Sequence, residues 1–136
     1  MRNGDGKPTV LIVEDDKYLG SALGTLLEYE GYRSVVAHSG ADAVDGQHGN
    51  NFDAALIDVH LPDMNGLALA SLLRTQYGPS WPILVMTGDL SKDVLGNIHE
   101  SGATHFFCKP LNLDRLVSTL GKSMSPESSQ RTDEEE

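Results

Sequence analysis

The chain has 136 residues, and its 20 Asp and Glu against 10 Lys and Arg give a formal net charge of −10. This length favours a single domain with a substantial core. The acidic balance argues against direct binding to nucleic acid, which requires Lys and Arg at the phosphates. No apolar run approaches the roughly 20 residues that span a bilayer, so we expect no membrane insertion.

The single cysteine, Cys108, excludes an internal disulfide bond and fits a reducing, cytoplasmic location. We expect it to be a small buried strand residue rather than a nucleophile. The composition also divides the chain into three parts. Residues 1–7 are expected to form a flexible leader, residues 8–122 the folded domain, and residues 123–136 an acidic tail or linker whose composition is typical of disorder.

Between leader and tail, apolar runs typical of buried strands alternate with amphipathic helical patterns. Gly20 and Gly24 are expected to weaken the first helix by roughly 1 kcal/mol each, relative to alanine. Gly31 suits the C-terminal cap of that helix, and Ser39 suits the N-terminal cap of the next. In chain order, the predicted elements are strand Val10–Glu14, helix Lys17–Glu30, strand Arg33–His38, helix Ala41–Gln47, strand Ala54–Asp58, helix Gly66–Tyr77, strand Pro82–Met86, helix Ser91–Ser101, strand Thr104–Cys108 and helix Asn112–Gly121.

This alternation predicts an α/β fold with a doubly wound, five-stranded parallel sheet and helices on both faces. Short right-handed crossovers favour the strand order 2-1-3-4-5, with the topological switch point between the first and third strands. That order places Glu14 and Asp15 beside Asp58, at the edge of the sheet where open α/β proteins bind ligands.

Three carboxylates on adjacent strand ends repel one another unless they hold a cation. Their oxygen ligands suit Mg²⁺ best, with Mn²⁺ as a second candidate. Asp58 is the strongest candidate for a nucleophile toward a phosphoryl group, because carboxylates form acyl phosphates. Lys109 can neutralise charge on the transferring group. Thr87 either hydrogen-bonds a phosphoryl oxygen or caps the turn after its strand, and local sequence does not choose between these roles.

Five motifs, taken together and in this order, resemble the receiver domain of two-component response regulators, the CheY-like family. The resemblance covers roughly residues 8 to 121, nearly the whole folded part of the chain. The motifs are Val13-Glu14-Asp15-Asp16, Leu56-Ile57-Asp58, Leu61-Pro62-Asp63-Met64-Asn65-Gly66, Met86-Thr87-Gly88 and Cys108-Lys109-Pro110.

The resemblance implies a phospho-accepting switch in a phosphorelay, with phosphoryl passing from a phosphohistidine of a sensor histidine kinase or a phosphotransfer domain. The protein would catalyse only its own phosphorylation and dephosphorylation. The resemblance implies that Asp58 is the phosphoacceptor and that Lys109 and Thr87 contact the phosphoryl group. It implies that Mg²⁺ is bound by Asp15 and Asp58, by Glu14 through water and by the backbone carbonyl of His60. Thr87 and Phe106 would be the switch positions, and the side chains of His60 and Asp89 would tune the lifetime of the phosphate.

Partner binding would change at the face built from the fourth helix, fifth strand and fifth helix, toward an unidentified downstream protein or a second copy. An alternative is an interaction module of the same fold that is never phosphorylated. An aspartyl-nucleophile phosphohydrolase is a poor fit, because such enzymes carry a second acid two residues after the nucleophile, where this chain has His60.

Overall fold

The computed structural model describes residues 6–46 and 51–124. Most of the predicted leader, Gln47 at the end of the second predicted helix, and residues 125–136 of the predicted tail lie outside these ranges. The elements in chain order are β1 Thr9–Val13, α1 Lys17–Tyr29, β2 Arg33–Ala37, α2 Gly40–Gly46, β3 Ala54–Asp58, α3 Gly66–Tyr77, β4 Ile83–Thr87, α4 Lys92–Ser101, β5 His105–Cys108 and α5 Leu113–Met124.

All paired strands of the sheet are parallel, and their order is β2-β1-β3-β4-β5. The predicted fold class, strand order and switch point between β1 and β3 are therefore confirmed. β1, β3 and β4 are buried along their whole length, as strands covered on both faces must be. Among the described helices, none is long and apolar enough to cross a membrane.

Two hydrophobic clusters lie on opposite faces of the sheet. On one face, α1 and α5 contribute Leu23, Leu27, Leu116 and Leu120. On the other face, α2, α3 and α4 pack against the alternate residues of the same strands. The side chains of successive strand residues point to opposite faces, so each central strand supplies both clusters.

Gly20 and Gly24 have a packing role that their helix propensity does not show. Both are buried on the inner side of α1. A Cβ on Gly20 would lie 3.1 Å from a methyl of Val36, and one on Gly24 would lie 3.1 Å from Oγ of Ser34. The two glycines thus permit α1 to lie close against β2.

Two expectations are corrected. α5 continues to Met124, so Ser123 and Met124 belong to this helix rather than to the tail, and Met124 packs against the cluster beneath α1 and α5. Cys108 is exposed rather than buried. β5 is an edge strand, and of its four residues only Phe107 is buried.

Two helix ends, at Ser39 and Gly31, follow the predicted caps, and a third cap comes from Asp16. Oγ of Ser39 accepts a hydrogen bond from the backbone N–H of Asp42. Gly31, which follows the end of α1, has φ 100°, in the left-handed region that glycine adopts readily. Asp16 caps the start of α1, because its carboxylate accepts from the backbone N–H groups of Tyr18 and Leu19.

Candidate functional site

The carboxyl edge of the sheet is fixed by backbone hydrogen bonds one residue beyond the strands. The N–H of Glu14, one residue past β1, donates to the carbonyl of Ala37, the last residue of β2, at 2.9 Å. The N–H of Lys109 donates to the carbonyl of Thr87 at 2.8 Å, past the end of β5. These bonds continue the parallel pairing and set the positions from which the side chains of Glu14 and Lys109 project.

Glu14, Asp15 and Asp58 converge at this edge, as the strand order predicts. Each offers a carboxylate oxygen, and these oxygens all lie within 4.8 Å of one another. Glu14 and Asp58 are buried, with 1% and 5% of their surface exposed, whereas Asp15 is exposed. An all-oxygen, anionic donor set with one solvent-facing member fits a hard divalent cation such as Mg²⁺, which keeps part of its water shell.

The ammonium group of Lys109 joins the carboxylates of two other strands. Its Nζ donates to Oε1 of Glu14 at 2.8 Å and to Oδ2 of Asp58 at 2.9 Å. The Lys109–Pro110 peptide bond is cis. The side chain of Lys109 is 27% exposed, so the two contacts are partly shielded from water. Lys109 is therefore a member of the site rather than a solvated surface lysine.

The charges of this cluster depend on one another. Burial raises the pKa of Glu14, and the neighbouring charge of Asp58 raises it further. The hydrogen bonds from Lys109 and from the N–H of Asp16 lower this pKa but do not cancel the rise. For Lys109, burial alone disfavours the ammonium form. The hydrogen bonds and charges of Glu14 and Asp58 outweigh it, and the pKa of Lys109 is raised above its ordinary value. The lysine is thus a cation at neutral pH.

The two oxygens of Asp58 have different partners. Oδ2 accepts from Lys109, while Oδ1 accepts from the backbone N–H of His60 at 3.0 Å. The carboxylate is held from two sides in one orientation at the end of β3. The donation from the N–H of His60 is not evident from the sequence; the family resemblance implies a metal contact for the backbone carbonyl of that residue and a role for its side chain in phosphate lifetime.

Thr87 is completely buried at the end of β4. Its hydroxyl accepts from the N–H of Asp89 at 2.9 Å and donates to the carbonyl of Asp89 at 3.2 Å. In this conformation Thr87 orders the turn after its strand, which is one of the two roles that the sequence left open. Phe106, on edge strand β5, is 41% exposed.

His60 and Asp89 approach each other from the loops that follow β3 and β4. Nε2 of His60 lies 4.0 Å from Oδ2 of Asp89, and both side chains are largely exposed. Hydrogen bonds from the backbone and side chain of Ser91 lower the pKa of Asp89, and the charge of His60 contributes to that lowering. The pair thus brings the loop of Asp58 close to the loop of Thr87.

Three further residues support the site. A Cβ on Gly66 would overlap the backbone carbonyl of Asp58, so the start of α3 sits directly against the acceptor. Nδ1 of His38 lies 2.9 Å from the carbonyl of Glu14. The carboxylate of Asp63 accepts from the N–H groups of Gly40 and Ala41. Asp63 and Gly66 belong to the Pro-Asp-Met-Asn-Gly turn, which marks them in the sequence as residues near the site. The sequence gives no comparable indication that His38 lies there.

Comparison with known proteins places this geometry in a family. The family described as the response regulator receiver domain matches residues 10–121. The transcriptional regulatory protein ZraR of Salmonella typhimurium is 35% identical over 120 residues, which cover 88% of this chain and 27% of ZraR. The probable transcriptional regulatory protein TcrX of Mycobacterium tuberculosis is 33% identical over 122 residues, which cover 88% of this chain and 51% of TcrX.

Solved structures agree with this assignment. A CheY-like receiver domain protein from Methanospirillum hungatei JF-1 superposes with a TM-score of 0.84 at 25% identity, covering 93% of this chain and 99% of that one. The non-phosphorylated HemR receiver domain from Leptospira biflexa superposes with a TM-score of 0.78 at 33% identity, and the match covers 88% of this chain and 95% of that one. The chain spans 27% of ZraR and 51% of TcrX, the two curated relatives described above.

The parallel sheet, with its acidic pocket and facing lysine at the carboxyl edge, is the arrangement of a receiver domain. This chain belongs to the response regulator receiver family of two-component systems, and membership implies phospho-accepting signalling.

Proposed function

We propose that the chain is a switch that accepts a phosphoryl group on Asp58, with Mg²⁺ as cofactor. The single observation that carries this proposal is the position of the Asp58 carboxylate. It is buried, held from one side by the ammonium of Lys109 and from the other by a backbone N–H, with Glu14 and Asp15 beside it. A structural ion pair does not require two further acids at the same point.

In the proposed step, an oxygen of the Asp58 carboxylate attacks the phosphorus of a phosphohistidine. The new P–O bond forms as the P–N bond breaks, and the imidazole leaves with the bonding pair and takes a proton from solvent. The ammonium of Lys109, already 2.9 Å from Oδ2, is placed to neutralise charge on the transferring group. The donor belongs to a sensor histidine kinase or a histidine phosphotransfer domain.

The bound metal would be held by Asp15 and Asp58, with Glu14 acting through water and His60 through its backbone carbonyl. When bound, Mg²⁺ supplies positive charge at the oxygens of the transferring phosphoryl group. The three carboxylates within 4.8 Å support this assignment. Mn²⁺, with the same preference for oxygen ligands, is the second candidate ion.

The switch is proposed to run through Thr87 and Phe106. The hydroxyl of Thr87 would exchange its contacts with the backbone of Asp89 for a phosphoryl oxygen, which releases the loop before α4. Phosphorylation favours whichever conformation binds the phosphoryl group better. The face formed by α4, β5 and α5 exposes Phe106 and Leu113, by 41% and 46%, and is the proposed surface for a downstream protein or a homodimer. Leu90, in the loop before α4, is 52% exposed.

His60 and Asp89 are proposed to set the lifetime of the phosphoryl group. Their side chains, 4.0 Å apart, lie between the two loops beside Asp58. A bulky imidazole and a carboxylate at these positions control how water reaches the phosphorus. Beyond its own phosphorylation and dephosphorylation, we expect no enzymatic activity.

The decisive experiment is intact-mass measurement after incubation with Mg²⁺ and acetyl phosphate. Wild type should gain one phosphoryl group, and Asp58→Asn should gain none. Asp42→Asn, an exposed substitution of the same chemistry on α2, is the matched control and should behave as wild type. A phosphoryl adduct on Asp58→Asn would overturn the assignment of the acceptor.

The alternative is an interaction module of the same fold that is never phosphorylated. It predicts no adduct on wild type, either with acetyl phosphate or with a phosphorylated histidine donor. The complete set of acids and lysine at the site favours phosphorylation over this alternative.

A further inference from the structure

The outer side of α1 carries the two most exposed large hydrophobic residues of the described ranges. Tyr18 is 90% exposed and Tyr29 is 86% exposed. They lie eleven residues apart in one helix, which is about three turns, so both rings stand on the same side. Between them lies a shallow, open groove of about 610 Å³, lined by Tyr18, Ser21, Ala22, Thr25, Leu26 and Tyr29.

The exposed residues of this α1 face lie at nearly symmetric positions about the centre of the helix. Tyr18 and Tyr29 form its ends, and Ala22 and Thr25 lie symmetrically about its centre. A two-fold axis through that centre would bring two copies of α1 together antiparallel, with each half of the face meeting the opposite half of the second copy. Such self-complementarity is what an isologous interface requires. We propose that the α1 face is the contact surface for a second copy of this chain.

The antiparallel arrangement gives each residue of the face a suitable neighbour. Helical periodicity of 100° per residue puts Tyr18 opposite Tyr29 of the second copy at both ends, so that two aromatic pairs close the contact. On one flank, Ala22 faces Leu26 of the second copy, and this contact is apolar. On the other flank, the hydroxyl of Ser21 faces that of Thr25 of the second copy.

Charge complementarity supports the same pairing. Lys17 and Glu28 lie on the same flank of α1, at opposite ends of the face, and both are exposed. The two-fold axis therefore brings Lys17 of one copy beside Glu28 of the other, and does so twice. A parallel pairing of the helices would instead leave Lys17 and Glu28 of the two copies separated along the axis by the length of eleven helical residues, so both charge contacts would be lost.

The floor of the groove allows close approach. Ala22 and Ser21 are small, and helices approach to about 8 to 10 Å according to the side chains at their contact. One helix face is a small interface, so we expect a weak dimer that forms at high protein concentration. This surface is distinct from the face of α4, β5 and α5, and it does not depend on phosphorylation.

The test is sedimentation equilibrium of the full chain, without a phosphodonor, from micromolar to millimolar concentration. Wild type should show a monomer–dimer equilibrium. Ala22→Glu should raise the dissociation constant by at least about a hundredfold, because it buries an unpaired carboxylate against Leu26 of the second copy. Ala68→Glu, the same change at an exposed position of α3, is the control and should leave the equilibrium unchanged.

Charge reversal tests the antiparallel register. Lys17→Glu and Glu28→Lys should each weaken the dimer, and the double variant should bind more tightly than either single variant because the charges are exchanged. Glu28→Lys also removes the hydrogen bond from Oγ of Ser34 to Oε2 of Glu28, 3.0 Å in the wild type, so the double variant is compared with Glu28→Lys. Circular dichroism of each variant checks that the fold is retained. A wild-type monomer at millimolar concentration, a dimer insensitive to Ala22→Glu, or a double variant as weak as the singles would each overturn the proposal. None of these outcomes bears on Asp58, since no phosphoryl transfer is measured.

Discussion

Gly66 shows how a single residue without a side chain supports the acceptor. Its N–H donates to the carbonyl of Val59 at 2.7 Å, and any Cβ would overlap the backbone carbonyl of Asp58. Gly66→Ala must therefore displace the end of β3 or the start of α3. We expect a loss of about 3 kcal/mol in the free energy of unfolding, measured by urea denaturation, because the neighbour is backbone that cannot rotate away.

Gly96 provides the control for this prediction. It lies in α4, and a Cβ there would meet open space. Gly96→Ala should stabilise the protein by up to about 1 kcal/mol, because alanine favours the helix. Equal effects of the two substitutions would show that the contact between Gly66 and Asp58 is not the cause.

Among single residues, those at the ends of buried strands can be predicted from the sequence. The ends of β1 and β3 follow from their apolar runs, so the convergence of Glu14, Asp15 and Asp58 could be predicted. His38 could not be found this way, because its contact with the carbonyl of Glu14 depends on how β2 pairs with β1. The exposure of Cys108 was also missed, since burial on an edge strand depends on the elements that cover it.

At the level of elements, Arg74 joins the ends of two helices. Its guanidinium donates from Nη1 to the carbonyl of Gly78, and from Nε and Nη2 to the carbonyl of Gly102. These carbonyls lie at the C-terminal ends of α3 and α4, where a cation is favoured. Ser71 adds a further bond, from its hydroxyl to the carbonyl of Ser101.

Arg74→Lys should cost about 2 kcal/mol in the free energy of unfolding, because one ammonium group cannot reproduce the planar fork that bonds two carbonyls. Chemical denaturation measures this loss. Arg115→Lys is the control, since Arg115 lies with its guanidinium carbon 5.0 Å from the ring centre of Phe107 and a lysine there retains the cation. A loss no greater than that of the control would contradict the role given to Arg74.

The start of α2 depends on a carboxylate from a distant loop. The N–H groups of Ala41 and Gly40 donate to Asp63 and hold its pKa below the ordinary value. Because the pKa of Asp63 is lower in the folded than in the unfolded state, its ionised form stabilises the fold at pH values above the ordinary carboxyl pKa. That contribution is lost as pH falls from the ordinary pKa through the lowered pKa of the folded state. We expect Asp63→Asn to be less stable than wild type at neutral pH, with the difference shrinking below about pH 4.

Thermal unfolding of both proteins across this range measures the effect. Asp42→Asn, an exposed change in the same helix, should show a smaller dependence on pH.

The sequence identified the cap from Ser39 but not the cap from Asp63, because capping by residues far along the chain is a tertiary contact. The end of α5 was misplaced for a similar reason, since packing of Met124 extends the helix beyond its apolar pattern.

At the scale of the whole molecule, Lys109 connects parts of the chain that are far apart in sequence. It is 95 residues from Glu14 and 51 residues from Asp58. We predict that Lys109→Ala still accepts phosphoryl from a donor, about a hundredfold more slowly because one charge-stabilising contact is lost. The phosphorylated variant should not transmit the change to α4, β5 and α5, because no cation joins β5 to the phosphoryl group.

Amide hydrogen exchange with and without acetyl phosphate provides the measurement. Wild type should change its exchange in α4, β5 and α5 on phosphorylation, and phosphorylated Lys109→Ala should not. Lys122→Ala, on the exposed side of α5, should respond as wild type does. A full response in phosphorylated Lys109→Ala would show that Lys109 acts only in the transfer step.

The position of Lys109 directly after the last strand also has a consequence for biosynthesis. A ribosome adds residues in order, so the acids of β1 and β3 emerge long before the cation that pairs with them. Until β5 is complete, Glu14 and Asp58 have no ammonium partner, and the sheet lacks an edge strand. By the same reasoning as for Lys109→Ala, an unfinished chain would react only slowly with a phosphodonor and could not pass a change to α4, β5 and α5, so full signalling competence requires β5 and the residues that follow it.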